Sequence, residues 1–140
     1  MGWLLDTSVL SELRKGRRCD ASVSAWFASV DSDDLYTSVL VVGELRRGIE
    51  LLRRRNRKAA ESLDGWLIRV VTAYADRVLP IDARVADAWG GLAVPDPLPI
   101  VDGLLAATAS VNGHVLVTRN VRDVARSGVA HLNPFQRRPG

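Results

Sequence analysis

The sequence is poor in the residues that staple or ligate. It holds one cysteine, Cys19, which excludes an internal disulfide and any thiolate-rich zinc site. A chain without disulfides suits a reducing compartment, and the cytoplasm is the expectation. Its two histidines, His114 and His131, stand apart and no HExxH pair exists, which argues against a zinc hydrolase. Each histidine reads as a surface or strand residue. The GxxxxGK[ST] run of a phosphate-loop NTPase is also missing. No apolar run approaches the ~18 residues of a membrane span. The first apolar stretch breaks at Asp6, so neither a membrane segment nor a secretory leader is expected. With only 11 Gly and 6 Pro, against 47% hydrophobic residues, the chain is neither low-complexity nor collagen-like. Its 140 residues support one domain with its own core, expected over 1–135, with a loose tail over 136–140.

Charge is unevenly spread. The net charge is +3, yet Arg14–Arg18 carries +4 and residues 46–58 carry +6, which leaves −7 for the rest. Concentrated bases over an acidic remainder are an electrostatic footprint for phosphate polymers, or else a solvated helix face. Of the 19 bases 17 are arginine, the side chain suited to bidentate phosphate contact.

Short apolar runs alternate with helical periodicity. Trp3-Leu4-Leu5, Leu35-Tyr36-Thr37, Val78–Ile81, His114–Val117 and Val129–Leu132 read as strands. Between them, Thr7 or Ser8 caps a helix to Arg14, a second helix spans 21–30, and Ser38 opens a third. That third helix has Val41, Val42, Leu45, Ile49 and Leu52 on its apolar face. A fourth runs from Ala59 to Ala75 with Leu63, Trp66, Leu67, Val70 and Val71 inward. Asp82 caps a fifth, Pro99 suits the first turn of a helix over 100–111, and Asn120 caps a last short one. This alternation predicts an α/β fold with a mainly parallel sheet, whose chemistry gathers beyond the carboxyl ends of the strands.

Four acids fall near that edge. Asp6 ends the first strand, Glu44 lies in the second turn after the second, Asp102 opens the helix after PLP, and Asp123 follows VLVT. Several carboxylates at one site repel one another, and a divalent cation removes that penalty. Hard oxygen ligands without a Cys/His cluster point to Mg2+ or Mn2+. Such an ion activates water and neutralises phosphodiester charge, as nucleic-acid hydrolysis requires. Each acid also has a plainer role: Asp6 as a cap, Glu44 as an exposed partner of Arg47, Asp102 as a first-turn acid, and Asn120–Asp123 as a capping arrangement. Asp82 and Asp96 read as a cap and a turn acid. A non-catalytic module that binds RNA or a partner through 46–58 is the competing reading. An aspartic protease built on Asp6-Thr7-Ser8 is disfavoured by the helical patterning.

LLDTSVLSEL, TSVLVVGELRRG, PLPIVDGLLAATA and LVTRNVRDV, in that order and with IDARVADAWG between the second and third, resemble the motifs of the PIN-domain family, and within it the VapC toxins. The resemblance covers nearly the whole chain and implies a three-layer α/β/α sandwich. It implies a Mg2+- or Mn2+-dependent endoribonuclease, the homodimeric toxin of a type II toxin–antitoxin pair, held by a VapB-type antitoxin. Asp6, Glu44, Asp102 and Asp123 match the family's acids, with Asp6 and Asp102 as the metal ligands and Thr7 and Asn120 placing water or phosphate. Gly103 departs from the pattern, where Ala is commoner; glycine inside a helix costs up to ~1 kcal/mol relative to Ala.

Overall fold

A computed structural model describes residues 2–136 of the chain. The tail expected over 136–140 lies, Gln136 apart, outside the described residues. The elements are β1 Trp3–Leu5, α1 Thr7–Leu13, α2 Ala21–Ser29, β2 Leu35–Ser38, α3 Val39–Arg53, α4 Arg57–Tyr74, β3 Val78–Leu79, α5 Ala83–Gly91, α6 Ile100–Val111, β4 Val115–Val117, α7 Val121–Ala125 and β5 His131–Leu132. All five strands are parallel, in the order β3-β2-β1-β4-β5.

That order fixes the layers. The chain steps outward from β1 through β2 to β3, so right-handed crossovers put α1–α4 on one face. It then crosses back to β4 and steps outward to β5, which puts α5–α7 on the other. The packing agrees: α1 meets α2 and α3, α3 meets α4, and α6 meets α5 and α7. Covered on both faces, β1 and β4 are wholly apolar, and Leu4, Leu5, Leu116 and Val117 are buried. Against them pack Val9 and Leu10 from α1, Val41, Leu45 and Ile49 from α3, and Leu105, Ala106 and Ala109 from α6. Each buried Leu or Val contributes about 1.5–3 kcal/mol. No helix among the described residues is long and apolar enough to cross a membrane.

Several boundaries differ from the sequence-based expectation. β3 stops at Leu79, because Pro80 has no N–H to extend the ladder, and it is an edge strand, where proline is tolerated. β5 is confined to two residues, and β4 begins at Val115. α4 starts earlier than expected, at Arg57, because the Asn56 side chain accepts from Ala59 N at 3.0 Å. Val71, expected inward, is 38% exposed. Gly103 has a packing reason. A Cβ there would sit 3.1 Å from both Cδ1 and Nε1 of Trp89, so alanine would require the Trp89 ring on α5 to give by a few tenths of an ångström.

Candidate functional site

The reversal of strand order falls between β1 and β4, and the residues that leave these two strands build the site. Leu5 is paired with Val117, and Asp6 N donates to Val117 O at 3.1 Å. Asp6 and Thr118 are therefore neighbours in the crevice beyond the carboxyl edge, where open parallel sheets bind ligands.

Asp6, rather than Thr7 or Ser8, caps α1. Its Oδ1 accepts from Val9 N at 3.1 Å and from Ser8 Oγ at 2.6 Å, and its Oδ2 accepts from Thr118 Oγ1. Those hydroxyls are themselves held. Thr118 Oγ1 accepts from Asn120 N at 3.0 Å and Ser8 Oγ from Arg119 N at 3.4 Å. Burial holds the Asp6 carboxyl above its ordinary value, and the bonds from Ser8, Thr118 and Val9 oppose that rise. The cap and the candidate site acid are thus one and the same residue.

Glu44 is exposed on α3 and accepts from Thr7 Oγ1 at 2.7 Å; it makes no ion pair with Arg47. Thr7 acts here as the holder of an acid. Asp102 lies in the first turn of α6. Its carboxyl is raised by burial first, then by the charges of Asp123, Asp6 and Glu44. The charges of the other three acids therefore reach Asp102. Asn120 stands where a cap of α7 would stand, but its side chain makes no capping bond. Its Nδ2 donates instead to Asp102 Oδ2 at 3.1 Å and Asp123 Oδ2 at 3.2 Å. The capping arrangement expected for Asn120–Asp123 is replaced by a bridge between two acids. Asp82 does cap α5, through Val85 N, and Asp96 is paired with Arg126, so neither joins the cluster.

The cluster is a loose ring. As the side chains lie, no three carboxylates, histidines or cysteines among the described residues close around one point as a ligand set. Each acid is turned toward a neutral donor, Asp6 to hydroxyls, Glu44 to a hydroxyl, Asp102 and Asp123 to an amide, and Asp123 also has a cation beside it, with Arg126 Nη2 3.7 Å from its Oδ1. Hard oxygens with mutual repulsion, and with Asp6, Glu44 and Asp102 making no ion pair among the described residues, suit Mg2+ or Mn2+, which take one or two carboxylates directly and fill the octahedron with water. Sequence reasoning missed Thr118 and Ser8. The parallel register would have found Thr118, since a residue following β4 must face the residue following β1.

The basic stretch 46–58 is divided in use. Arg46 Nη1 donates to Asp64 Oδ1 at 2.8 Å and to Glu50 Oε2 at 3.0 Å. Arg53 reaches Asp64 at 2.6 Å and both oxygens of Glu50 at 2.9 and 3.0 Å. These two arginines lock α3 to α4 and are not free for phosphate. Arg47, Arg54, Arg55, Arg57 and Lys58 make no ion pair with described residues. A groove of about 870 Å³ between α2 and the β5 segment, walled by Trp3, Trp26 and Leu132, contains none of the four acids.

Comparison with known proteins agrees with this geometry. The PIN domain family model matches residues 3–126. The VapC ribonuclease Y4jK of Sinorhizobium fredii is 31% identical over 95% of this chain and 97% of its own. Toxin FitB of Neisseria gonorrhoeae is 31% identical over 94% and 97%. The crystal structure of FitAcB from Neisseria gonorrhoeae superposes with a TM-score of 0.86 at 32% identity, covering 95% of this chain and 98% of that one. The chain belongs to the PIN-domain family, in the group that holds the VapC and FitB toxins.

Proposed function

We propose that this chain is the nuclease toxin of a toxin–antitoxin pair, a Mg2+- or Mn2+-dependent endoribonuclease. The observation that carries the reading is the gathering of Asp6, Glu44, Asp102 and Asp123 beyond the β1–β4 crevice, with Asp6, Glu44 and Asp102 held by neutral donors alone. Asp6 and Asp102 would hold the ion. Bound there, a divalent cation lowers the pKa of a water and neutralises charge on the scissile phosphodiester. Ser8 and Thr118 orient Asp6, and Thr7 orients Glu44. Asn120 keeps Asp102 and Asp123 apart at a fixed spacing and leaves Asp123 to orient the attacking water.

The toxin FitB is 31% identical to this chain, and the FitAB and FitAcB structures superpose on it with TM-scores of 0.87 and 0.86. That likeness supports a cognate antitoxin of VapB type as the partner here. The decisive experiment treats total cellular RNA with antitoxin-free protein, with and without EDTA, and maps the new ends. Discrete new ends that vanish in EDTA are expected. Intact RNA with Mn2+ present, or cleavage indifferent to EDTA, would overturn the proposal.

A further inference from the structure

The one cation paired with a site acid among the described residues, Arg126, is shared between Asp123 and Asp96, so bases free of carboxylates elsewhere on the surface matter for holding a polyanion. Helix α1 has Asp6 as its N-cap and Arg14 as its C-cap. Its seven residues span only about 10 Å. The chain then makes a single 3-10 turn over Gly16–Arg18, with Gly16 at φ 59°, a conformation that favours glycine. This turn folds Arg14, Lys15 and Arg18 around a concavity of about 370 Å³ that no carboxylate lines.

The notch is built rather than incidental. Glu12, 8% exposed, fastens it from inside. Glu12 Oε1 accepts from Lys15 Nζ at 3.0 Å, and Oε2 accepts from the Asp20 backbone N–H at 3.0 Å. One buried carboxylate thus ties both ends of the loop, and Lys15 holds that carboxyl below its ordinary value. The guanidinium groups of Arg14 and Arg18 make no hydrogen bond and no ion pair with any described residue, in contrast to Arg46 and Arg53. Cations after a helix also complement its dipole, but that effect needs neither a concavity nor an internal fastening.

The geometry points to Arg14, Lys15 and Arg18 as a phosphate-binding notch that holds the RNA backbone one helix length from Asp6. Paired guanidinium forks around an acid-free hollow match phosphate oxygens. The inference takes its ligand class from the proposed nuclease function, but its test does not require cleavage.

The test measures binding of a fluorescein-labelled 15-nucleotide poly-uridylate to the full chain in EDTA, across a salt series. Each phosphate contact to a single strand adds about 0.7 to the log–log salt slope. Arg14→Gln with Arg18→Gln should therefore flatten the slope by about 1.4. At 0.1 M salt this weakens binding roughly 25-fold, by extrapolation from 1 M. Arg14→Lys with Arg18→Lys keeps the charge and should restore most of the slope. An unchanged slope in the Gln pair overturns the notch. So does loss of binding to deca-aspartate with RNA binding intact, which would assign the surface to an acidic protein segment. Wild type that binds with full slope yet cuts no RNA would fail the proposed function and leave the notch standing.

Discussion

Two groups of carboxylates in this molecule have opposite surroundings. Glu50 and Asp64, on the α3–α4 hairpin, are gripped by Arg46 and Arg53, and both carboxyls are held below their ordinary values by those arginines. The site acids are held by Ser8, Thr118, Thr7 and Asn120, which orient without neutralising; among the described residues Asp123 alone also meets a cation, Arg126, at the longer distance of 3.7 Å, and Asp6 and Asp102 are raised. The first group is complete within the chain. The second is left with net negative charge on one edge of the sheet. Hydroxyls and amides fix the oxygens in place while preserving their charge, which is what a site for a cation from outside requires. Acid clusters are therefore better told apart by the charge of their partners than by their number.

The largest expected effect comes from removing charge at the centre of the second group. Asp6→Asn keeps an N-cap acceptor for Val9 but halves the hold on a cation. RNA cleavage should fall by roughly 10²–10³-fold or more, the scale of losing one preorganised electrostatic partner, with the circular dichroism spectrum unchanged. Near-normal turnover in purified Asp6→Asn would place the chemistry elsewhere. Asp64→Asn should leave the rate per folded molecule intact.

Added cation should separate the two groups next. An ion that binds only the folded state stabilises it by about 2.7 kcal/mol at a hundredfold excess over Kd. Thermal melts in a manganese series should show that shift in wild type and in Asp64→Asn, and a reduced one in Asp102→Asn. An equal shift in all three would mean that Asp102 holds no ion.

Much of this arrangement is readable from residue order. β1 and β4 are apolar runs closed by a polar residue, and the four acids follow the elements in the expected places. What sequence order conceals is contact across elements. Thr118 reaches Asp6 over 112 positions, and Arg53 is claimed by Asp64 from the next helix. Asn120 looks like a cap because it precedes a helix, but two acids at the crevice compete for its amide and win it. Gly103 looks like a departure that loosens α6, and only the approach of Trp89 shows the packing that alanine would disturb. β3 and β5 are shorter than their apolar runs, because Pro80 ends the first ladder and Val129 and Ala130 precede the second.

A smaller effect has opposite signs in the two groups. In EDTA, Asp102→Asn removes a charge that its neighbours disfavour and should melt higher than wild type. Two unit charges ~4 Å apart repel by about 4 kcal/mol at an effective dielectric of 20. Asp102 is half-exposed, so solvent screens most of that. Roughly 0.5–1 kcal/mol should remain, or about 2–4 °C in a domain of this size. Asp64→Asn should melt lower, because it leaves Arg46 and Arg53 with Glu50 alone. Two shifts of the same sign would dissolve the distinction between the groups.

The pH dependence of those differences is the finest test. A carboxyl raised in the folded state contributes stability that is fully present below its unfolded pKa, ~3.9 for Asp. That contribution is lost as pH rises through the folded value. Metal-free wild type should therefore lose part of its stability above about pH 4 as Asp102 ionises against Asp123, Asp6 and Glu44. The advantage of Asp102→Asn should be absent at pH 4 and grow toward neutrality. Asp64, held low, behaves in the reverse sense: its contribution is present above ~3.9 and lost as pH falls through its lower folded value. The deficit of Asp64→Asn should therefore be full at neutrality and shrink below pH 4. Urea melts of the three proteins in EDTA from pH 3 to pH 8 give both difference curves. An Asp102→Asn advantage that is constant across that range would mean that the ionisation of Asp102 is not disfavoured by its neighbours, and that the acids do not act as one cluster.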